Sequence, residues 1–214
     1  MITAQQSPVY ISKHLNGKME DMHAISTNTL TNPFCITMNN ADKHYKNSNV
    51  ICKACYSMKS LKGYLHKNSK LYQQNSDLLS KDIIEFKDIP VINSLYFRFH
   101  AHGELINEMH LINLCRICVA NPKVTFSLWT KRLSILNKVF DIRNEGKPKN
   151  LMIIYSNPYI NKIVKTVPPL CDKIFNNVDK DKYIDEQNCT GRKCIECLTC
   201  YTDSPIDVIV EGVK

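Results

Sequence analysis

A mixed α/β fold with a parallel sheet, laid out as a partial (β/α) barrel and followed by a small C-terminal cysteine-rich metal knuckle, is predicted by three observations. Apolar, strand-length segments alternate with segments of helical period; Pro, Gly and Asn mark short connections between them; and four thiols close the pattern in Cys189-Thr-Gly-Arg-Lys-Cys194-Ile-Glu-Cys197-Leu-Thr-Cys200. Alternation of this kind implies right-handed βαβ units and hence parallel strands. With 214 residues and 43% hydrophobic content the chain buries one sizeable core. The expected division is a main α/β domain over 1–185 and a cysteine-rich, cluster-binding segment over 186–214.

Taken in order, residues 1–22 read as a loose lead-in, and His23 to Leu30 has the β-branched character of a strand. Asn32-Pro33 is a turn signal. Residues 57–86 place Leu71, Leu78, Leu79, Ile83 and Ile84 at helical spacing, which predicts one or two helices ended by Pro90. Val91 to Phe99 predicts an aromatic-rich strand that runs into the polar stretch His100-Ala-His102-Gly103-Glu104. A helix from about Asn107 to Val119 is broken by Asn121-Pro122, and Lys123 to Thr130 is another strand. Leu133 to Ile142 is helical, Leu151 to Tyr155 is a further apolar strand, a short helix spans about Tyr159 to Val164, and Cys171 to Val178 is the last strand read.

The formal charge is +8, from 28 Lys and Arg against 20 Asp and Glu. With no arginine-rich run, the sequence reads as carrying this charge on a solvated surface, and scarce interleaving of aromatic with basic residues weighs against nucleic-acid binding. No window approaches the ~18 apolar residues of a membrane span, and residues 1–10 lack the pattern of a secretion signal. The expectation is a soluble, cytoplasmic protein with no membrane partner. Ten cysteines in a reducing compartment point to metal or redox chemistry rather than to disulfides.

The terminal group, Cys189, Cys194, Cys197 and Cys200, supplies four ligands without help from elsewhere, for zinc or an iron–sulfur cluster. A second group, Cys35, Cys52 and Cys55, leaves a site one ligand short, and an open position is what a catalytic metal or cluster offers a substrate. Its plain alternative is a structural zinc completed by a histidine such as His44 or by another cysteine. Cys115 and Cys118, three apart on a helix, share a face and read as packing residues, as does Cys171; Phe97, Phe99 and Trp129 read as core. Arg98, His100, His102, Glu104, Thr130 and Lys131 sit where strands end and are the candidate substrate contacts, with His100 and His102 expected on one side of a strand.

These residues, in the order Cys35, Cys52-x-x-Cys55-Tyr56, Arg98-Phe-His100-x-x-Gly103-Glu104, Asn121-Pro122, Thr130-Lys131 and the terminal cysteines with Tyr201, resemble the phage gene-product-eighty-eight-like family. The layout is also similar to that of radical S-adenosylmethionine (SAM) enzymes. That resemblance implies a catalytic [4Fe–4S] cluster on Cys35, Cys52 and Cys55 with Tyr56 beside it, a second cluster on the terminal cysteines, SAM as co-substrate approached by Gly103, Glu104 and Ser156, and Arg98, His100, His102, Glu104 and Lys131 in the catalytic set. It implies an external reductant and, for a phage-encoded protein, the host cytoplasm. The layout departs from that of the enzymes at the stretched cysteine spacing and at His102, which stands where they carry a glycine. The alternative reading is a zinc-stabilised binding module, with nucleic acid as its partner.

Overall fold

The computed structural model describes residues 7–44 and 49–213. Six strands, β1 (His23–Ile25), β2 (Tyr96–Phe99), β3 (Thr125–Thr130), β4 (Leu151–Ile160), β5 (Lys173–Asp179) and β6 (Val208–Val213), form one sheet. All neighbouring pairs are parallel and their spatial order is their sequence order, so β1 and β6 are edges and the sheet is not closed into a barrel. Helices α1 (Pro33–Asn39), α2 (Ala41–His44), α3 (Tyr56–Lys62) and α4 (Asn68–Lys81) lie between β1 and β2. Helix α5 (Glu108–Ala120) precedes β3, while α6 (Leu133–Leu136) and a π-helical turn (Asn137–Ile142) precede β4.

Strand alternation divides the sheet into two faces. Phe97, Phe99, Phe126, Leu128, Leu151 and Ile153 join Leu111, Leu114 and Ile117 of α5 and Leu79 of α4 in the main core. Burying each such side chain contributes about 1.5–3 kcal/mol. Cys118 is buried in this cluster, with Cys115 and Cys171 packed against it. The alternate residues Arg98, Ser127, Trp129 and Ile154 take the other face, where Ile154 packs with Phe175 and Ile209 and partly with Trp129, Cys189 and Cys200. The short helix α7 (Cys194–Cys197) and its flanks cover that face, so that Cys194, Ile195, Leu198, Cys200 and buried Tyr201 pack on Leu15, Met22, Ala24 and Ala101. The cysteine-rich segment therefore has an apolar anchorage of its own, beyond whatever its thiols hold.

Several boundaries differ from those expected. Strand β1 ends at Ile25 rather than Leu30, because the backbone beyond it bonds to the segment leaving β2: Thr27 N donates to His102 O at 3.0 Å and His102 N to Ser26 Oγ at 3.1 Å. The stretch before β1 is pinned rather than loose, since Ser12 and Ala24 exchange backbone hydrogen bonds of 2.8 and 2.9 Å. Strand β2 starts at Tyr96, leaving Val91 and Leu95 exposed. In place of a helix over 159–164, β4 continues to Ile160, whose N–H reaches Asn49 O at 2.8 Å. The β-branched run Val208-Ile209-Val210, not read as a strand from the sequence, supplies β6.

Candidate cysteine-centred site

Asn32 begins the site. Its carbonyl accepts from Phe34 N at 3.0 Å and Cys35 N at 3.4 Å, capping α1, and Pro33 suits the first helical position. Its amide donates to Glu104 O at 3.1 Å, tying the Cys35 helix to the end of β2. Asn39, at the other end of α1, donates to Cys52 O at 2.8 Å and so ties the same helix to the turn Ile51–Ala54. Cys55 closes that turn, its N–H bonding to Cys52 O at 3.1 Å, and caps α3. Cys35 thus comes within electrostatic reach of Cys52, Cys55, Glu104 and Lys131, and Cys52 of Cys55, Glu104 and Lys131. Burial, then the Glu104 carboxylate and the Cys52 and Cys55 sulfurs, push the Cys35 thiol far up, with Lys131 opposing. Cys52 is raised chiefly by burial. Burial pulls the Lys131 ammonium down, but Cys52, Glu104 and Cys35 together hold it above its ordinary value.

Glu104 is the hub. Its buried carboxylate accepts from Thr130 Oγ1 at 2.6 Å, Leu105 N at 2.8 Å and Lys131 N at 2.8 Å. Lys131 Nζ donates to Ser156 Oγ at 3.0 Å. Gly103, at φ +102°, lets the chain pass against β1: an added Cβ would meet Thr27 Oγ1 at 2.1 Å and Thr27 O at 2.8 Å. Tyr56 is 57% exposed, yet its hydroxyl turns inward to Ala101 O at 2.5 Å.

The two histidines do not form the pair expected. Both lie beyond β2, and His100 takes a left-handed φ of 66°, which ends strand alternation and sends the rings to different partners. His100 Nδ1 meets Trp129 O at 3.0 Å, so it carries the proton, and its ring meets His110 edge-on. His102 Nδ1 bonds Ser57 Oγ at 2.9 Å while the ring stacks on Tyr72. Burial first, and Arg98 second, lower the His102 imidazole to about 4. Ser57 and Tyr72 carry no motif that sequence reading could have found.

Arg98 stands beside the terminal thiol group. Its guanidinium lies 4.1 Å from the centre of the Trp129 ring, and its charge acts on Tyr56 and His102 on one side and on Cys194, Cys200 and Tyr201 on the other. Burial raises Cys200 to about 12, opposed by Arg98 and reinforced by Cys194, Cys189 and Cys197. Cys197 is lowered: burial would raise it, but hydrogen bonding with Thr199 and the nearby Arg192 outweigh that. Lys18 Nζ approaches Cys189 Sγ at 3.8 Å.

Among the described residues no group of three or more His, Cys, Asp or Glu side chains stands in an arrangement that could hold a metal ion. The donor chemistry nevertheless suits iron or zinc, with three thiols in one neighbourhood and four in another, each beside a fixed cation. Loading either group requires its thiols to swing onto a common centre. The side chain of His44 lies outside the described residues.

The fold and site together define a parallel α/β protein with a thiol group at the carboxyl edge of its sheet and a second across one face. A family model described as Gene product 88 matches residues 30–203, and the chain belongs to that phage gene product family. Neither the curated proteins nor the solved structures yield a match. Among the described residues no helix is long and apolar enough to cross a membrane.

Proposed function

We propose that this chain is an iron–sulfur protein of radical-SAM type, in which Cys35, Cys52 and Cys55 hold an open-site [4Fe–4S] cluster and Cys189, Cys194, Cys197 and Cys200 hold a second. The observation that carries this reading is the convergence of three thiols with Glu104 and Lys131 at the carboxyl edge of an all-parallel sheet, where such folds place their chemistry. Held by Cys35, Cys52 and Cys55, such a cluster would supply one-electron chemistry, its electron drawn from an external reductant and passed to SAM. The chain's own residues bind and orient. Lys131 offsets thiolate charge and fixes the Ser156 hydroxyl toward the same space. Glu104 sets the position of Lys131 through the backbone, and one lone pair on Oε2 remains for a substrate ammonium. His102 stays neutral near pH 7 and serves as a hydrogen-bonding group rather than a cation.

A structural zinc in the terminal group is the second reading, favoured by the packing of Cys194 and Cys200 against the sheet rather than toward an open cleft. Anaerobic purification with iron, sulfide and zinc analysis, followed by electron paramagnetic resonance with and without SAM, tests both. Iron and acid-labile sulfide in both groups, and a SAM-perturbed signal, are expected. Stoichiometric zinc without sulfide overturns the iron–sulfur reading; a loaded protein indifferent to SAM overturns the SAM step alone.

A further inference from the structure

The positive charge is not evenly spread. Residues 43–76 hold seven lysines (Lys43, Lys46, Lys53, Lys59, Lys62, Lys67 and Lys70) and no Asp or Glu. Lys53 is engaged by Asp42 at 2.9 Å. Lys59, Lys62, Lys67 and Lys70 are exposed, and among the described residues none of them forms an ion pair. Lys59 and Lys62 are three apart on α3, and Lys67 and Lys70 three apart at the start of α4, so each pair shares a helix face. Between the pairs in sequence stands Tyr64, 73% exposed, whose hydroxyl lies 3.2 Å from Ser60 Oγ, a group that itself donates to Tyr56 O at 2.8 Å. Lys62 also rims a cleft of about 270 Å³ with Leu30, Ile36 and Met58 in its apolar wall.

We propose that this α3–α4 face binds single-stranded nucleic acid, with Lys59, Lys62, Lys67 and Lys70 on phosphates and Tyr64 stacked on a base. An aromatic ring held between two pairs of unpaired cations matches the alternation of base and phosphate in an unpaired strand; a duplex hides the base faces that Tyr64 needs, and an acidic protein offers it no flat partner. The expectation of scarce aromatic–basic interleaving is reversed on this face. The proposal does not depend on what the thiol groups hold.

The test is fluorescence anisotropy with labelled oligothymidylate and oligouridylate of about twenty nucleotides, titrated against salt, using the full chain as purified. Saturable binding that weakens with salt is expected, and preference between the two strands distinguishes DNA from RNA. Replacing Lys59, Lys62, Lys67 and Lys70 by Ala together should cut affinity at least about tenfold and lower the salt slope by about 3. Tyr64→Ala should weaken oligonucleotide binding roughly tenfold and leave any polyglutamate binding unchanged. A control replacing the exposed Lys123, Lys149 and Lys165 by Ala should bind as the parent does. Because every substituted side chain is exposed, unchanged circular dichroism is expected throughout. No saturable binding at about 50 mM salt, equal competition by polyglutamate, or an equal loss in the control overturns the proposal.

Discussion

Gly103 shows how one missing side chain sets the site. Its positive φ and its approach to Thr27 act together, so Gly103→Ala should cost about 3 kcal/mol in denaturant unfolding. Gly17→Ala, at φ +65° with open space around it, should cost only about 1 kcal/mol. Glu104→Ala leaves Thr130 Oγ1 and the Leu105 and Lys131 amides without their acceptor and should cost about 3 kcal/mol by the same measurement. His102 gives a pH signature. The unfolded chain takes up its proton near pH 6.5 and the folded chain only near 4, so stability falls as pH drops through that window, by up to about 3 kcal/mol, and is flat above it. His102→Phe should remove that part of the slope in urea titrations at stepped pH, leaving what the buried His100 and His110, also lowered, contribute. The residue types around the cysteines were legible because thiols cluster in sequence. The histidine geometry was not, since it depends on one left-handed backbone angle at His100 that no spacing encodes.

At the scale of elements, the chain uses buried asparagine amides that sequence reading placed only as helix or turn positions. Asn75 on α4 accepts from Tyr10 N at 2.8 Å and donates to Tyr10 O and Ser26 O at 2.9 Å each, clamping the stretch before β1 against the helix. Asn113 does the same for the end of α4, binding Leu79 O, Asp82 O and Ile84 N, and Asn121 does so for Pro90 O and Ile92 N. Each supplies backbone groups with the partners that burial demands. Asn75→Ala should therefore cost about 3 kcal/mol in denaturant unfolding, more than a surface asparagine change. The existence of α5, β3 and β5 was readable because apolar periodicity, capping Asn107 and Asn121-Pro122 all agree there. The buried face of α4 was legible only at Leu79, because Tyr72, Asn75 and Ser76 carry the rest of it while Ile83, read as a helix position, lies beyond the helix end and is exposed.

On the scale of the whole molecule, the terminal cysteine segment is both a thiol group and a cover for one sheet face. Tyr201 is buried, with the Arg98 guanidinium acting on its hydroxyl, so Tyr201→Phe should change the melting temperature little, while Tyr201→Ala should lower stability by about 3–5 kcal/mol. Lys173, 1% exposed, anchors the return of the chain to the sheet through Ser204 O, Ser204 Oγ and Ile206 O at 2.9–3.1 Å. The parallel sheet was legible in the alternation of elements; its open edges and sixth strand were not, because a β-branched run behind a cysteine motif reads as the motif's tail. The strictly sequential strand order has a further consequence for how the protein is made. Each strand leaving the ribosome finds its neighbour already synthesised, so the sheet can grow outward from β1 without waiting for distant chain. Residues 180–207, which carry the second thiol group, are tied to the sheet at both ends only once β6 docks on β5. The cover that they lay over the Arg98 and Trp129 face is therefore the last part of the molecule to be secured during synthesis.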